Sequence, residues 1–217
     1  MVLRGLQSLL GRLYDLRVEH DVYDFLVTDR GALAGVVPGN DRREPEEELL
    51  LAETADGAGV ALYIDPAVLG RLEAADPLGA LTEGNLADYC TALEGVSHFL
   101  YSIWRLECDA PVSLLELECQ AEVDKYAATV FLVGRQQGGV YPAQVHARLF
   151  DRVEFDARLE PEQFDRYRTA HRCAANFCRR LERRFVSRGT AKVEPLVREL
   201  RKFYRLGSAA KLHYAIS

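Results

Sequence analysis

Two pairs of polar residues stand four apart in one stretch of the chain: Glu94 with His98, then Glu118 with Glu122, followed by Lys125. On a helix, residues four apart share a face, so each pair presents two side chains to one neighbour. Carboxylates and an imidazole brought face to face support an ion-pair ladder, a proton transfer or the holding of a cation. Ser97 beside His98 makes no catalytic dyad, because adjacent helical residues point about 100° apart. The chain also has no Gly-x-Ser-x-Gly.

For the pairs to meet, the chain from 85 to 137 must form two helices that fold back on each other near Ala110. His98 and Glu122 each lie twelve residues from Ala110 and come level in such a hairpin. In the first helix Leu86, Tyr89, Cys90, Leu93, Val96, Leu100, Ile103 and Trp104 share an apolar face. Glu94 and His98 fall on the opposite side with Thr91, Tyr101 and Arg105, a face expected to be solvated. Ser113 and Glu116 have capping-box spacing and start the second helix. That helix carries two apolar faces, one with Leu115, Cys119, Val123 and Tyr126, the other with Leu114, Leu117, Ala121 and Ala128. Between them Glu118, Glu122, Lys125 and Thr129 form a narrow polar line.

Buried carboxylates are costly unless paired. The expected pairs are Glu122 with Lys125 and His98, and Glu118 with Arg105, with no metal or cofactor. Di-iron helical bundles also draw carboxylates and histidine from facing helices, but they use Glu-x-x-His. Here the first pair has four-residue spacing and no histidine accompanies Glu118.

Around this hairpin the rest of the chain reads as mainly α. Leu3, Leu6, Leu10, Leu13 and Leu16 predict an opening amphipathic helix, and Val18 to Asp29 a shorter one. On the latter, His20 lies among Glu19, Asp21 and Asp24, a solvated acidic face. Ala34 to Glu48, with Val37-Pro38-Gly39-Asn40-Asp41 and the charge run Arg42 to Glu48, is expected to be a mobile surface connector. Leu49–Thr54 and Val60–Ile64 flank a turn at Asp56-Gly57-Ala58-Gly59 and predict a β-hairpin. Two strands alone are marginal, so the hairpin must lie on helices or find a third strand. Its turn is no phosphate loop, since no Lys-Ser/Thr follows it. Asp65-Pro66 starts a short helix, Gly138-Gly139 closes the second central helix, and Pro142 to Phe150 makes another short helix. The expected fold is a single, mostly α-helical domain over residues 1–217: an irregular helical bundle around a central antiparallel helical hairpin, with one small β-hairpin at 48–64 and basic C-terminal helices over 161–216.

In the helix from Pro161 to about Val186, residues Phe164, Tyr167, His171, Ala174, Cys178, Leu181 and Phe185 form a heptad seam that wants a helix alongside, in this chain or a second copy. His171 and Cys178 lie in it as core residues, and Cys173 points away from His171, a poor zinc arrangement. Arg166, Arg168, Arg172, Arg179, Arg180, Arg183 and Arg184 surround the seam. From Arg166 onward there are 14 Lys or Arg against 3 acids, leaving 13 against 30 in residues 1–165. The arginines therefore face either the acidic remainder of the chain, an acidic protein partner, or phosphates. An overall net charge of −6 favours carboxylate partners over nucleic acid.

No apolar run approaches the ~18 residues of a membrane span, and no signal-peptide pattern opens the chain. The five cysteines, an odd number without Cys-x-x-Cys spacing, are expected to stay reduced in the cytoplasm. The functional expectation is a non-enzymatic adaptor acting through protein–protein interaction, with self-association through the 164–185 seam. The alternatives are a nucleic-acid-associated accessory protein and a metal-dependent helical-bundle enzyme.

Overall fold

The computed structural model describes residues 1–33, 45–54, 57–187 and 189–216; the turn at Val37–Asp41 and Arg42 to Glu44 lie outside them. Helix α1 (Val2–Tyr14) buries Leu3, Leu6, Leu10 and Leu13 and ends where Asp15 turns left-handed at φ 57. The helix expected over Val18–Asp29 does not form. Asp21 caps a single 3-10 turn at Val22–Asp24, and Leu26–Val27 becomes strand β1. The local helical spacing is overridden by a distant strand that takes up the backbone of Leu26 and Val27.

That strand belongs to the hairpin of β2 (Glu47–Thr54) and β3 (Gly57–Ile64), so the sheet order is β1-β3-β2, with β1 parallel and β2 antiparallel to β3. The third strand that a stable hairpin needs is thus supplied from residues read as helix. Pairing also runs further than the apolar segments suggest. Glu47 pairs with Ile64, and Thr54 with Gly57. Glu47, assigned from sequence to a solvated connector, is consequently on the sheet.

Asp65 accepts from Ala67 N at 2.7 Å and starts α2 (Pro66–Ala74) with proline in the first turn. The central hairpin forms as α3 (Leu86–Glu107) and α4 (Leu114–Gln136). Ser113 caps Glu116 N at 3.2 Å. Glu116 does not reciprocate; its carboxylate accepts from the Tyr101 hydroxyl and from Ser208 N. There follow α5 (Val145–Phe150), α6 (Pro161–Phe185), a two-strand ladder of β4 (Val186–Ser187) and β5 (Thr190–Ala191), α7 (Val193–Tyr204) and α8 (Ser208–Ile216). The fold is mainly α, a helical bundle with small β elements. Among the described residues no helix is long and apolar enough to cross a membrane.

Helix α4 lies between α3 and α6 and also touches α1, α5 and α8. The central seam residues Ala174, Cys178 and Leu181 are buried among these helices. The same chain therefore covers the middle of the seam, while Phe164 at its start stays exposed and Tyr167, His171 and Phe185 are half-buried. The solvated face expected on α3 is corrected. His98 and Tyr101 are 7% and 0% exposed, because the β2–β3 sheet lies over His98 and Tyr204, Lys211 and Glu116 enclose Tyr101.

Gly95 permits that close approach. A Cβ there would stand 2.9 Å from Glu47 Cγ and 3.0 Å from Leu62 Cδ1. Gly95→Val is expected to push the sheet off α3 and lower unfolding stability by about 1–3 kcal/mol, measured by urea denaturation; an unchanged midpoint would contradict this packing account.

Candidate functional site

Three elements bring the cluster together. His98 on α3 lies with its Nδ1 3.2 Å from Glu47 Oε1 on β2 and its Nε2 3.7 Å from Glu118 Oε2 on α4. Nδ1–H donates to Glu47. The second distance is too long for a hydrogen bond, and Nε2 is buried without a hydrogen-bond partner among the described residues. Lys125 Nζ bridges Glu94 Oε2 at 2.6 Å and Glu122 Oε1 at 2.8 Å. The other oxygen of Glu122 is 3.6 Å from His171 Nδ1 on α6.

All five residues of the expected cluster are therefore neighbours, but two of its pairings differ. Glu122 takes Lys125 and His171, while His98 takes Glu47 and leans on Glu118. Arg105 does not reach Glu118. It turns to the Pro111 carbonyl at 3.1 Å and approaches Glu116 at 3.9 Å, since the hairpin turn is the nearer acceptor. His171 is also corrected: it lies at the edge of the core, its side chain 16% exposed.

Glu94, His98 and Glu118 each offer one ligand atom, and the three atoms lie within 4.8 Å of one another. Ligand atoms around an ion at ~2.1 Å stand about 3–4 Å apart, so the side chains must draw in by about an ångström. One imidazole nitrogen with two carboxylates suits a borderline divalent ion such as zinc, manganese or iron(II).

Burial disfavours the His98 imidazolium, but the facing carboxylates, Glu47 foremost, outweigh it and lift its pKa to about 9. Burial raises Glu118 to about 7 even with His98 opposite, and it raises Glu47 too. Glu122 is the exception. Burial pushes it up, yet Lys125 and His171 bring it down to about 2. Glu122 is thus held ionised by two neighbours, while Glu47 and Glu118 share His98. It opens on a cavity of about 250 Å³ between α4, α6 and residues 153–159, lined by Glu94, Glu118, Glu122, Lys125, Phe155, Tyr167 and His171 among others.

A second polar centre, which the sequence reading missed, occupies the inner side of α4. Asp124 accepts from Tyr14 Oη at 2.5 Å, Ser97 Oγ at 2.6 Å and Gln120 Nε2 at 2.7 Å. Lys211 Nζ donates to Gln120 Oε1 at 2.6 Å and sits 4.2 Å from the Tyr101 ring centroid. A signal existed: Gln120 and Asp124 repeat the four-residue spacing of Glu118 and Glu122. Its hydrogen bonds tie α1, α3, α4 and α8 together.

The arginines of α6 spread around the helix, and two of them pair with acids of residues 1–165. Arg168 meets Asp165 at 2.8 Å and Arg179 meets Asp151 at 3.8 Å. Arg166 and Arg184 lie over the neighbouring rings of Tyr167 and Phe185, and Arg180 donates to the Tyr214 carbonyl at 2.8 Å. Among the described residues, Arg172 and Arg183 have no ion pair. Arg179, Arg180, Arg183 and Arg184 line a surface depression of about 390 Å³ with Asn176, Ala215 and Ile216.

Compared with known proteins, the chain matches no family model, and no curated protein or solved structure is significantly similar to it.

Burial lowers the Lys211 pKa from 10.5 to about 8, against the opposing pull of Glu116, Asp124, Cys119 and Cys173. The unfolded chain keeps this proton to higher pH than the folded one, so folding is favoured as pH rises from about 8 to 10.5. Urea unfolding is expected to show wild type gaining up to about 3 kcal/mol over Lys211→Met across that window. A difference that stays flat would contradict it.

Proposed function

We propose that this is a divalent-metal protein in which Glu94, His98 and Glu118 hold the ion and Glu47 orients the imidazole. The observation that carries this reading is the buried Nε2 of His98, which makes no hydrogen bond among the described residues and stands 3.7 Å from Glu118 while Nδ1 is engaged by Glu47. A buried polar atom left bare is costly. A carboxylate on the far nitrogen is also the usual support for a metal-ligating histidine, because it fixes the tautomer and makes the free nitrogen more basic. The charge balance points the same way. Four carboxylates, Glu47, Glu94, Glu118 and Glu122, gather around Lys125 and two histidines, and a divalent ion supplies the missing positive charge.

Three protein ligands leave coordination positions for water or substrate, which is the build of a catalytic rather than a structural metal site. The adjoining cavity of about 250 Å³ admits a small molecule. Lys125 holds Glu94 and Glu122 in place, and His171 with Tyr167 forms the opposite wall. This favours the metal-dependent enzyme among the alternatives read from the sequence.

Titration of the full chain with Mn²⁺, Fe²⁺ (anaerobically) and Zn²⁺ tests it. One ion per chain and a raised melting temperature are expected for at least one of them. His98→Gln and Glu118→Gln are expected to abolish binding, and Glu47→Gln to weaken it by about 10- to 100-fold. An unchanged melting temperature and no stoichiometric binding with all three ions would remove the reading.

A second reading, the interaction protein or nucleic-acid accessory, is supported by the arginine-lined depression on α6. Binding of labelled single- and double-stranded nucleic acid and of polyglutamate is expected to fall with salt, and further on Arg179→Ala/Arg183→Ala/Arg184→Ala. Failure of all three probes to bind at low salt would end it.

A further inference from the structure

We propose that Cys119 and Cys173 form a redox-active dithiol that a hydroperoxide converts to an intramolecular disulfide joining α4 to α6. The two residues are far apart in sequence, yet the fold sets their sulfurs 3.1 Å from each other. A disulfide needs about 2.05 Å, so the pair must close by about an ångström, and no other cysteine contact is this short among the described residues.

The surroundings assign different roles to the two sulfurs. Cys119 S–H donates to Cys173 Sγ, and Cys173 lies 3.7 Å from the Lys211 carbonyl. Cys173, which faces the α8 cover at the Lys211 carbonyl, is the sulfur an entering peroxide meets first, and Cys119 behind it is the resolving thiol. Cys173 Sγ attacks the terminal oxygen of the peroxide and breaks the O–O bond, forming a sulfenic acid and releasing hydroxide or alkoxide, which takes up a proton to become water or an alcohol. Cys119 Sγ then attacks Cys173 Sγ, expelling the sulfenic oxygen as a second water. Overall the two thiols lose two electrons and two protons, and the peroxide is reduced by the same two electrons.

Both sulfurs are buried, so access depends on what covers them. That cover includes α8, a helix of nine residues whose buried side chains are Lys211 and Ala215. Opening α8 means parting Tyr214 from Phe177 and Phe203 and Lys211 from Gln120, so the oxidant reaches the sulfurs through a local opening of this terminal helix. The pairing also has a consequence for the cavity. Cys119 follows Glu118 on α4, and Cys173 lies two residues beyond His171 on α6, so closing the bond draws together the two helices that wall it. The inference itself rests on the sulfur geometry and stands whether or not the site holds a metal.

The test is a peptide map of the reduced full chain after brief hydrogen peroxide treatment, catalase quenching, and alkylation with N-ethylmaleimide in denaturant. The expected product is a cross-linked Cys119–Cys173 peptide, two hydrogens lighter than the pair of reduced peptides and released by dithiothreitol. It is expected to persist in Cys108→Ser and Cys178→Ser. In Cys119→Ser, dimedone is expected to trap a sulfenic acid at Cys173. Recovery of Cys119 and Cys173 as maleimide adducts after peroxide would overturn the proposal. So would pairing with other cysteines, or a cross-link formed only when peroxide is added to unfolded protein. The wild-type map needs no substitution, so a misfolded variant does not obscure the result.

Discussion

The bundle depends on one buried carboxylate. Asp124 is 1% exposed and draws a hydroxyl from α1, a hydroxyl from α3 and an amide from its own helix. Through Gln120 the same network reaches Lys211 on α8. Burial still raises Asp124 to about 6, so the carboxylate is under strain even when fully bonded. Losing any of these partners leaves a buried polar group short of a bond, a cost on the order of 1–3 kcal/mol. The helices therefore dock in one register. Apolar packing such as the Tyr14–Tyr204 stack at 4.1 Å supplies area, but the hydrogen bonds decide which residues lie level.

The candidate site inherits that register. Ser97 and Asp124 pin α3 to α4, and their immediate neighbours His98 and Lys125 are carried toward the cavity side of the same interface. The two polar centres flank one helix and differ in completeness. At Asp124 both carboxylate oxygens are taken. At His98 one nitrogen is taken and the other is bare. A satisfied network rigidifies; an unsatisfied buried atom behind the carboxylates that line a cavity leaves room for a ligand. That contrast separates scaffold from candidate chemistry better than residue type does, since both centres are built from the same acids and cations.

Much of the site was legible because it is local. Glu94 and His98, and Glu118 and Glu122, follow from helical spacing, and the fold-back follows from the break near Ala110. Glu47 was not legible. It sits in a charge run whose composition reads as solvated, and only its pairing with Ile64 places it on the sheet. The burial of His98 was misjudged for the same reason: a helix face looks solvated until something else is known to lie on it, and Gly95, whose bare Cα admits the sheet, carries no functional signature. The heptad seam was correctly seen as wanting a partner, but spacing does not say whether that partner is in the same chain.

The sequence by itself determined the helices, their caps at Asp65 and Ser113, the mainly α class and the charge division, because periodicity, capping and composition act over a few residues. Tertiary structure alone decided that β1 would be a strand, that Glu47 would meet His98, that Cys119 would meet Cys173, and that Arg168, Arg172, Arg179, Arg183 and Arg184 of α6 would face outward. Each of those depends on which surfaces come together across long stretches of chain. The free energy there comes from mutual burial and from hydrogen bonds completed between distant elements, and no local pattern encodes it.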